Sequence, residues 1–185
     1  MRLDGERVTL RDWRSDDAGR LSELLVPERP WHDTNGPYFA RPTAQDLDGM
    51  RRRLLDRAEQ EMLPDPRDTP AVVRRSDDLL VGIVSWYWES EETDWRRLGI
   101  VLWDETVWGQ GLGGEALSLW TSYLFDTTDA LRLDLATYSG NPAMIATATR
   151  AGFVEEGRMR KARRWAGGVH DAVVLGVLRE EWAGR

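Results

Sequence analysis

Apolar and polar positions alternate between Glu6 and Trp13, with Val8 and Leu10 on one side and Thr9 and Arg11 on the other, a period that predicts a first β-strand. Ser15-Asp16-Asp17 then offers an N-cap to a helix through Leu21, Leu24 and Leu25, closed by Pro27. From Pro27 to Pro42 the periodicity breaks at Pro30, Gly36 and Pro37, leaving a loop rich in aromatic rings: Trp31, His32, Tyr38 and Phe39. Thr43 is placed to cap a second helix. Its apolar stripe of Leu47, Met50, Leu54 and Leu55 runs toward Met62, until Pro64, Pro66 and Pro70 forbid continuation.

The middle of the chain changes period. Ala71 to Arg74, Leu79 to Trp88 and Trp95 to Trp103 are rich in Val, Ile, Leu and Trp and are separated by acidic turns, which predicts an antiparallel meander. A glycine cluster from Gly109 leads into a helical spacing of Ala116, Leu117, Trp120 and Leu124. A strand over Leu131 to Thr137, a helix over Asn141 to Ala151 and strands over Phe153 to Met159 and Ala172 to Leu178 follow, the last after the Gly167-Gly168 turn. The expected class is therefore α/β, a mixed sheet flanked by helices. With 185 residues, no internal repeat and no linker, a single domain over residues 1–185 is expected.

Charge and composition narrow the chemistry. A net charge of −7 repels polyphosphate and favours a cationic or neutral partner over nucleic acid. The absence of cysteine excludes disulfides, thiolate metal sites and a cysteine nucleophile, and fits a cytoplasmic protein. Neither a signal-peptide core nor a membrane-spanning apolar run is present. His32 and His170 stand without partner spacing, so no metal site is expected. Ten tryptophans against three phenylalanines point to an indole-rich core with some rings left to wall a pocket, and leave room for a homodimer.

The sharpest local signal is Val107-Trp108-Gly109-Gln110-Gly111-Leu112-Gly113-Gly114-Glu115-Ala116. Glycines entering a helix permit positive φ and a close approach of backbone N–H groups, and the helix dipole adds attraction for an anion such as pyrophosphate. The G-x-G-x-x-G order is missing, and no Gly-Lys-Ser/Thr ends the run, so neither a dinucleotide fingerprint nor a Walker loop is matched. Spacing alone leaves a phosphate loop and a flexible helix start equally open.

The run Leu98-Gly99-Ile100-Val101-Leu102 followed by Trp108 to Leu117 resembles motif A of the GNAT acetyltransferases, and its W-G-x-G-x-G-x-E-A form is similar to the ribosomal-protein N-terminal acetyltransferase branch. Asn141 to Gly152-Phe153-Val-Glu-Glu156-Gly157 resembles the N-x(10)-G-F-x-x-E-G block of motif B, and Val169 to Trp182 resembles the branch's closing strand and tail. The resemblance implies the GNAT fold, with splayed parallel strands around Val101 and Leu133, and transfer of an acetyl group from acetyl-CoA to a primary amine of a protein N-terminus or small molecule. It implies further that the pantetheine arm pairs with Val101, Leu102 and Trp103, that the pyrophosphate rests on Gln110, Gly111, Leu112, Gly113 and Gly114, and that Asn141 contacts the cofactor. Asn141 also reads as a helix N-cap with Pro142 at N1, and the two roles are compatible.

Proton transfer is less clearly marked. The glutamate that family members carry two residues before Gly99 is Arg97 here, which leaves Asp94, Glu92, Glu89 or a water chain as base. The family's tyrosine and the branch's serine in motif B fall on Ala148 and Met144, leaving Tyr138 and Ser139 as candidate acids. Trp31, Tyr38, Trp86 and Trp88 are expected to wall the acceptor pocket, by cation–π attraction or as packing. The basic run Arg158 to Arg164 reads as reaching the 3′-phosphate of CoA or as an exposed strand end. Because Arg97, Met144 and Ala148 depart from the family pattern, a CoA-binding module with little transferase activity is the alternative. A nucleotide-binding oxidoreductase is disfavoured by the order of elements.

Overall fold

The computed structural model describes residues 1–36 and 41–184. Its strands are β1 Arg2–Asp4, β2 Val8–Arg11, β3 Ala71–Arg74, β4 Leu79–Ser90, β5 Trp95–Leu102, β6 Arg132–Tyr138, β7 Val154–Trp165 and β8 Gly168–Leu178. They form one sheet in the order β1-β2-β3-β4-β5-β6-β8-β7. Neighbours are antiparallel except β5 and β6, which run parallel. A parallel pair needs a crossover, and helix α4 (Leu112–Thr127) supplies it.

The faces are covered by different helices. On one, α4 and α5 (Pro142–Ala151) pack through Ala116, Leu117, Trp120, Leu124 and Ala148 on Leu98, Leu133 and Leu175. On the other, α1 (Asp17–Leu24), α2 (Trp31–Thr34) and α3 (Ala44–Asp56) cover Ala71, Val73, Leu80, Ile83 and Trp103. Alternation in β5 therefore assigns Leu98 and Ile100 to the α4 face and Val101 to the α1–α3 face.

Local chemistry explains where elements begin and end. Thr43 and Asp46 form the capping box of α3, with Thr43 Oγ1 accepting from the Asp46 N–H at 3.2 Å and Asp46 Oδ2 from the Thr43 N–H at 2.9 Å. That helix stops at Asp56, where the apolar stripe ends, and Met62 lies exposed beyond it. At α1 the side chain of the N-cap residue Asp16 makes no capping bond. Asp17 instead accepts from the Arg14 N–H at 2.9 Å and takes the buried Arg11 guanidinium at 2.7 and 2.9 Å, so the polar side of β2 is buried too. The short helices α2 and α6 (Arg179–Ala183) and strand β1 add to the predicted elements, and β7 and β8 reach further along their shared hairpin than expected. No described helix is long and apolar enough to cross a membrane.

Candidate active site

The parallel ladder between β5 and β6 lasts for three residue pairs, Arg96 with Leu133, Arg97 with Asp134 and Leu98 with Leu135. β5 continues to Leu102 along β4, and β6 to Tyr138 along β8, so the two strands part after Leu98 and Leu135. In an antiparallel ladder every second residue points its N–H and C=O away from its partner. Residues 99–102 thus present a backbone edge to the gap, and at its end the Leu102 carbonyl takes the Trp108 indole N–H at 3.0 Å.

Two cavities adjoin at this gap, one on each face of the sheet. The first, of about 610 Å³, is bounded by Leu102, Trp108, the turn from Gly109 to Gly114, Thr147 and Arg150. The second, of about 560 Å³, is bounded by Ser85, Tyr87, Arg97, Gly99, Thr137, Tyr138 and Arg163. Thr34, Ile100, Val101, Asn141 and Met144 line both.

The first cavity is built from backbone. Gly109 and Gly111 have φ of 74° and 85°, in the left-handed region, and a Cβ at either would meet nothing within 4 Å. Glycine is needed there for conformation, and the space above it stays open. Glu115 is the first residue of α4 to bond back within the helix, to Gly111 at 3.2 Å. The N–H groups of Leu112, Gly113 and Gly114 therefore have no intrahelical carbonyl. The Glu115 carboxylate is turned away, onto the amides of Glu6 and Arg7. Oriented amides with a guanidinium on the rim and the nearest carboxylate diverted suit an anionic ligand.

The second cavity is built from side chains. Asp134 is fully buried and binds Arg97 through Nε at 2.8 Å and Nη2 at 3.2 Å, and the Trp95 indole N–H at 2.7 Å. Glu89 lies 2.7 Å from the other side of Arg97. This guanidinium is a pinned member of an ion-pair network across β5 and β6. Burial pushes the phenol of Tyr87 above its usual value, partly offset by the charge of Arg97. Burial also raises the phenol of Tyr138, whose O–H donates to the Asp33 carbonyl at 3.2 Å. The Tyr138 ring is gripped by backbone: a Cβ at Gly36 or Gly140 would sit 2.3 Å from it. Asn141 joins both cavities. Its Oδ1 caps α5 by accepting from the Met144 N–H at 3.0 Å, and its Nδ2 donates to the Thr34 carbonyl at 3.1 Å.

Residues 7–154 match the family model described as the acetyltransferase (GNAT) domain. The chain belongs to the GNAT acetyltransferase family. Among related sequences, "Putative ribosomal N-acetyltransferase YdaF" of Bacillus subtilis is 26% identical over 97% of this chain and 95% of that protein. "Uncharacterized N-acetyltransferase p20" of Bacillus licheniformis is 21% identical, over 97% of each chain. Among solved structures, RimL, a ribosomal L7/L12 alpha-N-protein acetyltransferase in complex with coenzyme A, superposes with a TM-score of 0.73 at 17% identity, covering 96% of this chain and 98% of that one. The ribosomal-protein-S5-alanine acetyltransferase from Vibrio fischeri gives 0.73 at 20% identity and 98% of both. These likenesses show the GNAT fold, and the family model shows an acetyltransferase.

Within this GNAT domain the residues singled out from sequence separate. Val101, Leu102, Gly111, Leu112, Gly113, Gly114 and Asn141 line the first cavity. Gln110 folds its amide back onto the Thr106 carbonyl at 2.8 Å, and Trp103 is buried with its backbone N–H donated to the Val81 carbonyl at 2.8 Å. Tyr138 lines the second cavity. Ser139 lies one residue further along, its Oγ accepting from the Asp171 N–H at 3.0 Å. Asp94 sits in the β4–β5 turn, paired with Arg96. Trp31 is core, its ring tilted against His32 with centroids 3.7 Å apart and its indole N–H donated to the Leu24 carbonyl at 3.0 Å. Tyr38 lies outside the described residues.

Trp86 and Trp88 occupy the face opposite the second cavity, Trp88 lying 4.2 Å under the guanidinium of Arg96 and Trp86 donating to the Arg67 carbonyl at 2.8 Å. The residue between them, Tyr87, takes the cavity side because it pairs with Arg97 across β4 and β5. Tyr87 and Thr34 were missed by sequence reading. Tyr87 could have been found from the β4–β5 register, and Thr34 carries no signal within its loop. Among the described residues no cluster of His, Asp and Glu could hold a metal ion.

Proposed function

We propose that the chain transfers an acetyl group from acetyl-CoA to the α-amine of a polypeptide, with small-molecule amines as the wider class. The observation that carries this reading is the meeting of a backbone-built anion cavity and a side-chain-built cavity across one gap in the sheet. The first-turn amides of Leu112, Gly113 and Gly114 and the turn at Gly109 to Gly111 would hold the pyrophosphate, with Arg150 at the rim. The free edge of residues 99–102 would pair with the pantetheine amides. When bound, acetyl-CoA supplies the activated acyl thioester.

The second cavity would take the amine. Its described lining includes hydroxyls and two arginines but no carboxylate, and the candidate base Glu89 is paired with Arg97. Apolar walls from Ile83, Val101 and Met144 make an ammonium costly and favour the neutral amine. An α-amine, with a pKa of about 8, gives up its proton to water readily near neutral pH, whereas a lysine at about 10.4 does not. This asymmetry is why the α-amine is the preferred acceptor. Of the groups considered for proton transfer, the Tyr138 hydroxyl stays in this reading, holding Asp33 and α2 over the gap, while the Asp94 carboxylate and the Ser139 hydroxyl fall outside it. A cytoplasmic setting accords with a chain free of cysteine.

The test is calorimetric titration with acetyl-CoA, followed by thiol release on adding peptides with free α-amines or with blocked α-amines and a lysine. Absence of acetyl-CoA affinity would end the proposal, and equal turnover of lysine amines would remove its acceptor half.

A further inference from the structure

The basic run on β7 belongs to neither face of the anion cavity. Between Gly157 and His170 the chain carries Arg158, Arg160, Lys161, Arg163 and Arg164 and no carboxylate, in a protein whose net charge is −7. Pairing of β8 with β6 ends at Ala172 and Tyr138, so this stretch of the β7–β8 hairpin projects past the end of β6 as an arm.

Two features show how the arm presents its charge. The β7–β8 register is broken between Met159 and Arg163 by a bulge that places Arg160, Lys161 and Ala162 opposite Asp171. Lys161 sits there at φ 56°, and its N–H donates to Asp171 Oδ1 at 2.9 Å. Bulges of this kind twist a strand and re-aim its side chains. Past it, Arg163 lines the second cavity, opposite the side where the cofactor phosphates would lie. The arm is further tied to that cavity by the edge contact of His170 with the Tyr138 ring at 5.3 Å. Secondly, the charges are uncompensated. Arg158 is taken by Glu155 and Asp171, but Arg160, Lys161 and Arg164 are exposed and have no carboxylate within ion-pair distance among the described residues.

We infer that the β7–β8 arm is a docking surface for the acidic residues that follow the acceptor's N-terminal amine. The inference rests on the proposed α-amine acceptor and names its class: a polypeptide with Asp or Glu within about the first five residues. Along an extended chain each residue advances about 3.3 Å. An acceptor whose amine lies in the cavity would thus bring its second to fifth side chains past Arg164, Lys161 and Arg160. The bulk charge alone points to a cationic or neutral acceptor, and the arm reverses that expectation locally. A polypeptide fits better than RNA, because three uncompensated cations suffice for a few carboxylates, whereas the net charge of −7 opposes a continuous phosphate backbone.

The experiment compares wild type with the triple variant R160E/K161E/R164E, whose substituted residues line neither cavity. Substrates are three peptides alike except for Glu, Gln or Lys at positions two to five, and readouts are thiol release and fluorescence anisotropy of labelled peptide. The expected result is a kcat/KM about tenfold higher for the Glu peptide than for the Gln peptide at low salt, carried by KM and shrinking with added salt. The triple variant should reverse the order Glu over Lys with acetyl-CoA affinity unchanged. Turnover of all three peptides at equal kcat/KM by wild type would overturn the docking surface while leaving the α-amine reading intact. Charge-selective peptide binding without turnover would keep the surface and overturn that reading. Wild-type binding of a single-stranded RNA 12-mer that the triple variant loses, with Glu peptide neither bound nor preferred, would assign the arm to nucleic acid instead.

Discussion

The two cavities at the gap are made of different materials. On the α4 side the working groups are main-chain amides, a turn with two left-handed glycines and a bare strand edge. On the α1–α3 side they are side chains drawn from β4, β5, β6 and β7, held by an ion-pair network that crosses the parallel strands. A backbone-built site tolerates loss of side chains and resents added ones. A site built from side chains does the reverse. Under the proposed function, this contrast puts acetyl-CoA on the backbone-built side and the amine on the side-chain-built side.

The strongest way to break the contrast is Arg97→Ala. Truncation leaves the fully buried Asp134 with only Trp95 and the more distant Arg132, and stripping one partner from a buried pair costs about 3 kcal/mol or more. Urea unfolding should register that loss, while acetyl-CoA affinity per folded molecule stays near wild type. An unchanged unfolding midpoint would mean that the network does not hold the seam.

Gly111→Ala is the mirror-image experiment. No atom lies within 4 Å of the new methyl, so its cost is conformational, about 1–2 kcal/mol for a left-handed residue. That cost should appear in stability and as weaker acetyl-CoA binding by calorimetry. Gly113→Ala is the comparison: its Cβ would meet Leu102 Cδ1 at an ordinary 3.5 Å and its φ is not left-handed, so it adds a methyl to the cavity wall without the conformational cost. Equal effects from the two substitutions would show that the turn's backbone geometry is not what binds.

Asn141 serves both materials at once and can be dissected. Asn141→Ala should cost about 1 kcal/mol through the lost cap of α5. Asn141→Asp and Asn141→Ala both lose the donor to Thr34 and should raise the acceptor KM, but Asn141→Asp keeps the capping oxygen, so its stability should recover toward wild type. If the aspartate variant restored KM as well, the tie to α2 would carry no weight.

The smallest effect expected is a pH dependence on the acceptor side. His32 is buried, with Nε2 2.9 Å from the Val26 carbonyl and Nδ1 lacking a partner among the described residues, and burial lowers its pKa below 6.5. The unfolded chain takes up a proton on this side chain below about pH 6.5 while the folded chain resists it. Stability should therefore fall as the pH drops from 7.5 to 5. His32→Leu should flatten that part of the profile in thermal melts.

Sequence legibility followed the same division. The glycine turn, the Asn141 cap and the Thr43 cap are local, each contained in a few consecutive residues, and all could be read before any fold was known; the reciprocal bond from Asp46 that makes the Thr43 cap a capping box came with the structure. Alternation showed that Trp86 and Trp88 share a face but not which face, because that depends on what packs above the sheet. The pairing of Arg97 with Asp134 depends on a parallel register between segments 37 positions apart, and no local pattern encodes it. Likewise the length of the β7–β8 arm is obscured by the bulge at Lys161, where the period of two fails.

The three-pair ladder between β5 and β6 has a mechanical meaning as well. Residues 1–102 contribute one half of the sheet and residues 132–178 the other, and the halves are joined by those three pairs, by Arg97 and Trp95 on Asp134, by the bonds of Tyr138 to Asp33 and Asn141 to Thr34, and by the apolar underside of α4. Pulled apart across that line, the protein should tear there first. An extended ligand laid along residues 99–102 would act as reinforcement across the opening, so the force needed to part the halves should climb as the gap is filled.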